Sequence, residues 1–143
     1  MKIMNTRDYT FKSSKTTYSF VNKDRLLSEY EGAIGMKTGF TGKAGHCFVG
    51  AANRGDVTLV SVVLASGWGT AGKSRKWIDT KALLNYGFNN YKKYSIINGS
   101  EKMNISIDKA EKEIAELKYK DSVDLLLSEN EKANLKIENE LPQ

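Results

Sequence analysis

The stretch Gly35–Ser66, GMKTGFTGKAGHCFVGAANRGDVTLVSVVLAS, decides the fold of this chain. Its second half holds two runs rich in apolar and β-branched residues, HCFVGAAN at 46–53 and DVTLVSVVLAS at 56–66. The NRGD between them, residues 53–56, suits a tight hairpin turn. Ahead of them GAIGMKTG, residues 32–39, reads as a short strand. The glycines of TGFTGKAG, 38–45, either break that strand or let another backbone come close. Runs apolar on both faces predict a sheet covered on two sides.

Working outward, DYTFKSSKTTYSFVNKDRLL at 8–27 alternates polar residues with Tyr9, Phe11, Tyr18 and Phe20. It reads as a loose hairpin or extended entry, with KSSK as its turn. DRLLSEYEG is too short to assign. On the other side, GWGTAGKS at 67–74 reads as a loop. From Ser74 or Arg75 to Tyr91, the residues Trp77, Ile78, Leu84, Phe88 and Tyr91 recur at helical spacing, with Ser74 as the N-cap. Trp77, Leu84 and Phe88 are the core positions expected of that helix.

After Lys93 the character changes to short two-residue alternations such as Met103-Ile105-Ile107, with NGS and SENEK as turns. EKEIAELKYK, 111–120, fits a helix by propensity but is assigned to strand here. The fold class that follows is α+β. An antiparallel sheet with a closing helix fills residues 1–92, and the start of a small β-rich domain fills 93–143.

Composition excludes several functions. One cysteine, Cys47, and one histidine, His46, leave no internal disulfide, no Cys-rich metal site and no multi-His site. No run of about 18 apolar residues is present. The opening MKIMNTRDYTFKSS lacks an apolar h-region, so no secretory signal of the chain's own is expected. Residues 1–92 carry a net charge of +8 and residues 93–143 a net of −3. A basic half suits an anionic partner. The lysines are scattered rather than interleaved with aromatics, and no nucleic-acid-binding signature accompanies them.

The chemistry centres on Lys37-Thr38-Gly39. A lysine ammonium and a threonine hydroxyl on one strand can together grip a carboxylate. The glycine removes the side chain where a substrate would lie, and the Phe40 N–H can serve as an oxyanion donor if it faces a nucleophile. By itself the triplet also fits an ordinary strand-to-turn junction. Thr41 reads as a turn residue, His46 as structural at the start of an apolar strand, and Cys47 as a small buried hydrophobe.

Lys-Thr-Gly is the third signature element of penicillin-binding proteins and class A β-lactamases. Here the triplet runs into TGFTGKAG, a Cys-containing strand, a hairpin and a VVL strand. That succession closely resembles the D-alanyl-D-alanine carboxypeptidases, the low-molecular-mass penicillin-binding proteins of the bacterial cell wall. NKDRLLSEYEGAIG resembles the approach to the triplet, and KWIDTKALLNYGF, 76–88, the helix that closes the peptidase domain. The resemblance covers residues 1–92 well; residues 93–143 look like the first part of the family's C-terminal β domain.

The chain departs from the family in one decisive respect. The family's nucleophile belongs to a Ser-x-x-Lys motif ahead of the triplet, followed by Ser-x-Asn, and neither occurs among the 36 residues before Lys37. Ser106-Ile107-Asp108-Lys109 and Ser128-Glu129-Asn130 match the letters but follow the triplet. On a strand Ser106 and Lys109 would face opposite ways, whereas the chemistry needs them side by side on a helix. The chain thus looks like the C-terminal portion of a carboxypeptidase, without a catalytic residue of its own.

The resemblance implies a serine-type hydrolase that trims peptidoglycan stem peptides and binds β-lactams outside the cytoplasmic membrane, with no metal or organic cofactor. Lys37, Thr38, Gly39 and Phe40 would bind substrate, and Arg75 or Lys76 would add a carboxylate contact. Two other readings stay open. One is a non-catalytic module that binds cell wall or protein; the other is a piece that complements a separate segment carrying the serine. An unpaired sheet edge and an uncovered apolar face would favour self-association.

Overall fold

The structure, a computed structural model, describes residues 2–106 and 114–140. The chain divides into two compact units, Met1–Asn89 and Asn90–Gln143.

The first unit opens with an antiparallel ribbon of β1 (Asp8–Lys12) and β2 (Thr17–Val21), in which Tyr9 pairs with Phe20 and Phe11 with Tyr18. Its turn closes where Ser13 N–H donates to the Thr16 carbonyl at 2.8 Å. One helical turn, α1 (Leu26–Glu29), follows, begun by Asp24, whose carboxylate accepts the Leu26 N–H at 2.9 Å. Next come β3 (Ala33–Thr41), β4 (Gly45–Arg54) and β5 (Val57–Val63), an antiparallel sheet in the order β3-β4-β5. The β4–β5 turn needs only Gly55 and Asp56, and Gly55 takes the positive φ of +61° that such turns require. The long helix α2 (Gly69–Asn90) closes the unit.

Strand alternation sorts the sheet into two faces. Phe48, Gly50 and Ala52 of β4 face the helices. Phe48 meets the Trp77 ring edge-on at 4.6 Å, and the two join Leu26, Ala52 and Leu84 in the core. Gly50 lies under α1 and α2 so closely that a Cβ there would stand 2.6 Å from Phe48 Cε1, 2.9 Å from Thr80 Cγ2 and 3.1 Å from Leu26 Cδ2. Tyr30, Ala33, Leu59 and Phe88 pack around this cluster.

The opposite face is open on β5, where Val60, Val62 and Leu64 are all more than half exposed. Cover on both sides was expected from the sequence; it is present at Ala51, which is fully buried, and is not found over β5 among the described residues. A run apolar on both faces looks the same whether or not a second layer lies over it.

The closing helix begins at Gly69 rather than at Ser74, so most of GWGTAGKS is helix and not loop. Gly69 starts it at a positive φ of +60°, and at Gly72 it packs backbone to backbone: a Cβ there would fall 2.2 Å from the Gly67 carbonyl carbon. Within the helix Trp77 and Leu84 are buried and Phe88 borders the core, as spacing predicts, whereas Ile78 points to solvent.

In the second unit β6 (Lys92–Ile97) pairs with β9 (Val123–Leu127), and β7 (Lys102–Ser106) with β8 (Ile114–Lys118). The strand assignment holds for residues 114–118; residues 111–113 lie outside the described residues. Asn98–Ser100 makes the expected turn, with the Gly99 N–H donating to Ser122 Oγ at 3.0 Å. SENEK does not. It starts the helix α3 (Glu129–Ala133), with Ser128 as N-cap and Glu131 completing a capping box. Ser128 is therefore occupied in capping the start of α3, and Lys109 of the other rejected pattern lies outside the described residues.

Candidate functional site

The triplet sits in the middle of β3, which pairs with β4 alone and leaves its other edge free among the described residues. Register assigns the side chains. Lys37 lies opposite Val49 and Gly39 opposite Cys47, on the open face of the sheet. Thr38 lies opposite Phe48 and Phe40 opposite His46, on the helix side. Lys37 is exposed and Thr38 half-buried, and the Lys37 ammonium donates to the Thr38 carbonyl. At Gly39 the strand is bare: an added Cβ would meet only Cys47 Cβ, at 3.8 Å. An ammonium, a hydroxyl and a stretch of smooth backbone thus lie on consecutive residues of an edge strand.

The surrounding residues hold this strand rather than extend its chemistry. Phe40, 54% exposed, stacks on His46 with ring centroids 4.3 Å apart. Thr41 Oγ1 accepts the Ala44 N–H at 3.0 Å, a turn role. Cys47 accepts the Ala65 N–H at 3.5 Å and reaches the Ala44 carbonyl at 3.7 Å, so it ties two turns together. It is half-buried, not fully buried as expected from the sequence. Among the described residues no group of three or more His, Cys, Asp or Glu is placed to hold a metal.

Arg75 and Lys76 diverge. Arg75 is exposed and stands 4.0 Å from Asp79, one turn on, which also accepts the Ser66 hydroxyl at 3.1 Å. Lys76 is only 6% exposed, with its ammonium 4.7 Å from the Trp77 ring centroid. Burial pushes its pKa down; the Asp24 carboxylate opposes this, while Lys73 and Lys37 push further the same way.

Asp24 is the residue that sequence reasoning missed. It is 7% exposed, and burial raises its pKa against the pull of the Leu26 and Met36 backbone N–H groups and of Lys76. Its second oxygen has no hydrogen-bond partner. Since Met36, whose N–H acts on Asp24, immediately precedes Lys37, this buried carboxylate lies close to the start of the triplet. The available signal was an acid two residues before the Leu26-Leu27 pair, where an N-capping side chain belongs.

Comparison with known proteins now adds to the geometry. Residues 1–67 match the family profile described as D-alanyl-D-alanine carboxypeptidase. Over those residues the chain is similar to that family. The D-alanyl-D-alanine carboxypeptidase of Streptomyces sp. strain K15 is 41% identical over 92 residues, 60% of this chain and 30% of that protein. DacF of Bacillus subtilis, named as the same enzyme, is 26% identical over 128 residues, 89% of this chain and 32% of that protein. Among solved structures, penicillin binding protein 5 from Haemophilus influenzae superposes with a TM-score of 0.69 at 25% identity, covering 94% of this chain and 38% of that one. The carboxypeptidase match includes α1 and the whole β3–β5 sheet, and the superposition supports the α+β assignment. The chain spans about a third or less of the length of these curated relatives.

Proposed function

We propose that β3 is the substrate-gripping strand of a serine-type D-alanyl-D-alanine carboxypeptidase, and that these 143 residues hold one wall of its cleft without the nucleophile. Lys37 from the open face and Thr38 from the helix side both reach past the free edge of β3 to hold the terminal carboxylate of a peptidoglycan stem peptide, or the carboxylate of a β-lactam. Gly39 lets the ligand lie against the strand, and the Phe40 N–H donates to the oxyanion of the tetrahedral intermediate. The serine that attacks the peptide carbonyl comes from outside these residues.

The observation that carries this reading is the bare backbone at Gly39 beside an exposed Lys37, on an edge strand, in a chain whose residues 1–67 are similar to carboxypeptidase sequence. Arg75 is the exposed cation of α2 available for a second carboxylate contact. Lys76, buried beside Asp24, acts through the position of β3. Residues 1–92 form part of the peptidase domain and residues 93–143 the start of an accessory β domain, acting outside the cytoplasmic membrane.

The open face of Val60, Val62 and Leu64 favours a second reading within the first, in which a separate segment carrying the serine docks on this sheet. Fluorescent penicillin tests both. Alone, the pure 143-residue chain should show no covalent label on a denaturing gel. Mixed with a segment bearing Ser-x-x-Lys, it should support labelling of that segment. Stoichiometric labelling of the chain by itself would overturn the proposal.

A further inference from the structure

The β1–β2 ribbon carries an exposed aromatic face that the carboxylate grip does not use. Its register puts Tyr9, Phe11, Tyr18 and Phe20 on one face, and all four rings are exposed. Phe11 stacks on Tyr18 with centroids 5.1 Å apart and on Phe20 at 6.2 Å, and Tyr9 joins Phe11 at 6.2 Å. At the base of the ribbon Tyr9 and Phe20 join Ile3, and Val21 from the other face, around an open cavity of about 580 Å³ that Lys2 and Arg7 also line. The opposite face is polar, with the Thr10 and Ser19 hydroxyls 2.9 Å apart. A two-stranded ribbon has little stability alone, and an exposed aromatic face of this extent marks a contact surface.

Charge and ring geometry choose the partner. Residues 1–23 contain Lys2, Arg7, Lys12, Lys15 and Lys23 against Asp8 alone, and all five cations are exposed. Among the described residues none of the four lysines is held in an ion pair. The partner is therefore anionic. A nucleobase or a sugar ring is held best in a slot between aromatic faces, but the four rings gather on Phe11 as one continuous cluster. A lipid interface needs no such slot. It accepts apolar rings at the headgroup boundary with tyrosine hydroxyls toward water, and its phosphates attract nearby lysines.

We propose that the β1–β2 ribbon docks this chain peripherally on an anionic lipid surface. Phe11 and Phe20 enter the headgroup–acyl boundary, and the exposed lysines Lys2 and Lys23, with Lys12 and Lys15 at the turn end of the ribbon, supply the positive charge that the lipid phosphates attract. No helix among the described residues is long and apolar enough to cross a membrane, so the contact is a surface one. It does not depend on the role of Lys37.

Co-sedimentation of the 143-residue chain with vesicles tests this, using phosphatidylcholine alone and an equal mixture with phosphatidylglycerol. The mixed vesicles should bind at least about tenfold more tightly, as expected where several cations add attraction to an anionic surface. High salt should weaken that binding. Lys12→Gln with Lys15→Gln, which leaves the aromatic face intact, should reduce it severalfold. Phe11→Ser with Phe20→Ser should abolish it, and Phe11→Trp should shift its emission to the blue on the mixed vesicles. Equal binding to both vesicles, or unchanged binding by the charge and aromatic variants, would overturn the proposal. So would absent vesicle binding together with a dimer that the aromatic variant dissolves, since a second copy would then be the occupant.

Discussion

Replacing Gly39 by alanine separates a glycine kept for the fold from one kept for a ligand. The added Cβ would meet Cys47 Cβ at 3.8 Å, an ordinary van der Waals contact, and Gly39 does not have the left-handed backbone that excludes side chains. The folded state therefore offers no penalty, and loss of glycine's freedom in the unfolded chain favours alanine by about 0.5–1 kcal/mol. Urea unfolding should give an unchanged or slightly raised midpoint.

Binding should behave in the opposite way. The methyl projects from the open face beside Lys37, where the peptide would lie against the strand, and a loss of at least about tenfold, roughly 1.4 kcal/mol, is expected. The assay is an NMR titration with an N-acylated D-Ala-D-Ala peptide, following the Thr38, Gly39 and Phe40 amides. A variant destabilised by more than about 1 kcal/mol would make Gly39 structural, since a compatible Gly→Ala change should not destabilise. A stable variant with unchanged binding would refute the approach of a ligand to this strand.

Gly50→Ala makes the contrasting case. Its Cβ would press on Phe48, Thr80 and Leu26 at 2.6–3.1 Å, so about 1–3 kcal/mol should be lost on urea unfolding. Lys76→Met removes the buried cation that acts on Asp24 through space and should lower the urea midpoint, whereas Asp24→Asn with Lys76→Met should recover part of that loss; additive single effects would show the two uncoupled. The raised pKa of Asp24 means the folded state holds its proton more tightly than the unfolded chain. Its contribution is therefore fully present below the ordinary value of 3.8 and lost as pH rises through the folded pKa, a component that stability-versus-pH curves of Asp24→Asn should lack.

The sheet was legible because β-branched runs and the Gly55-Asp56 turn point the same way. The aromatic ribbon was legible from simple alternation. The first turn of α2 was not, because Gly69 and Gly72 have low helix propensity; Gly69 takes a positive φ of +60° and Gly72 is required by contact with Gly67, a tertiary reason invisible in the local pattern. The helix at Ser128 carried a readable capping box, Ser128 to Glu131, that a turn-like composition disguised. The open face of β5 could not be read, since alternation reports that a residue is apolar and not what covers it. Lys37-Thr38-Gly39 was legible as letters; the buried Asp24 and Lys76 became visible only once α1 and α2 were packed against the sheet.

The central claim is that Lys37 and Thr38 grip a carboxylate. The most direct measurement titrates the chain with an N-acylated D-Ala-D-Ala peptide as the free acid and again as its C-terminal amide, with Lys37→Ala in parallel. The free acid should shift the Thr38, Gly39 and Phe40 amides of the wild type, weakly and saturably, while the amide and the variant show no such shift. Equal shifts from acid and amide, or an unaltered response in Lys37→Ala, would contradict the account.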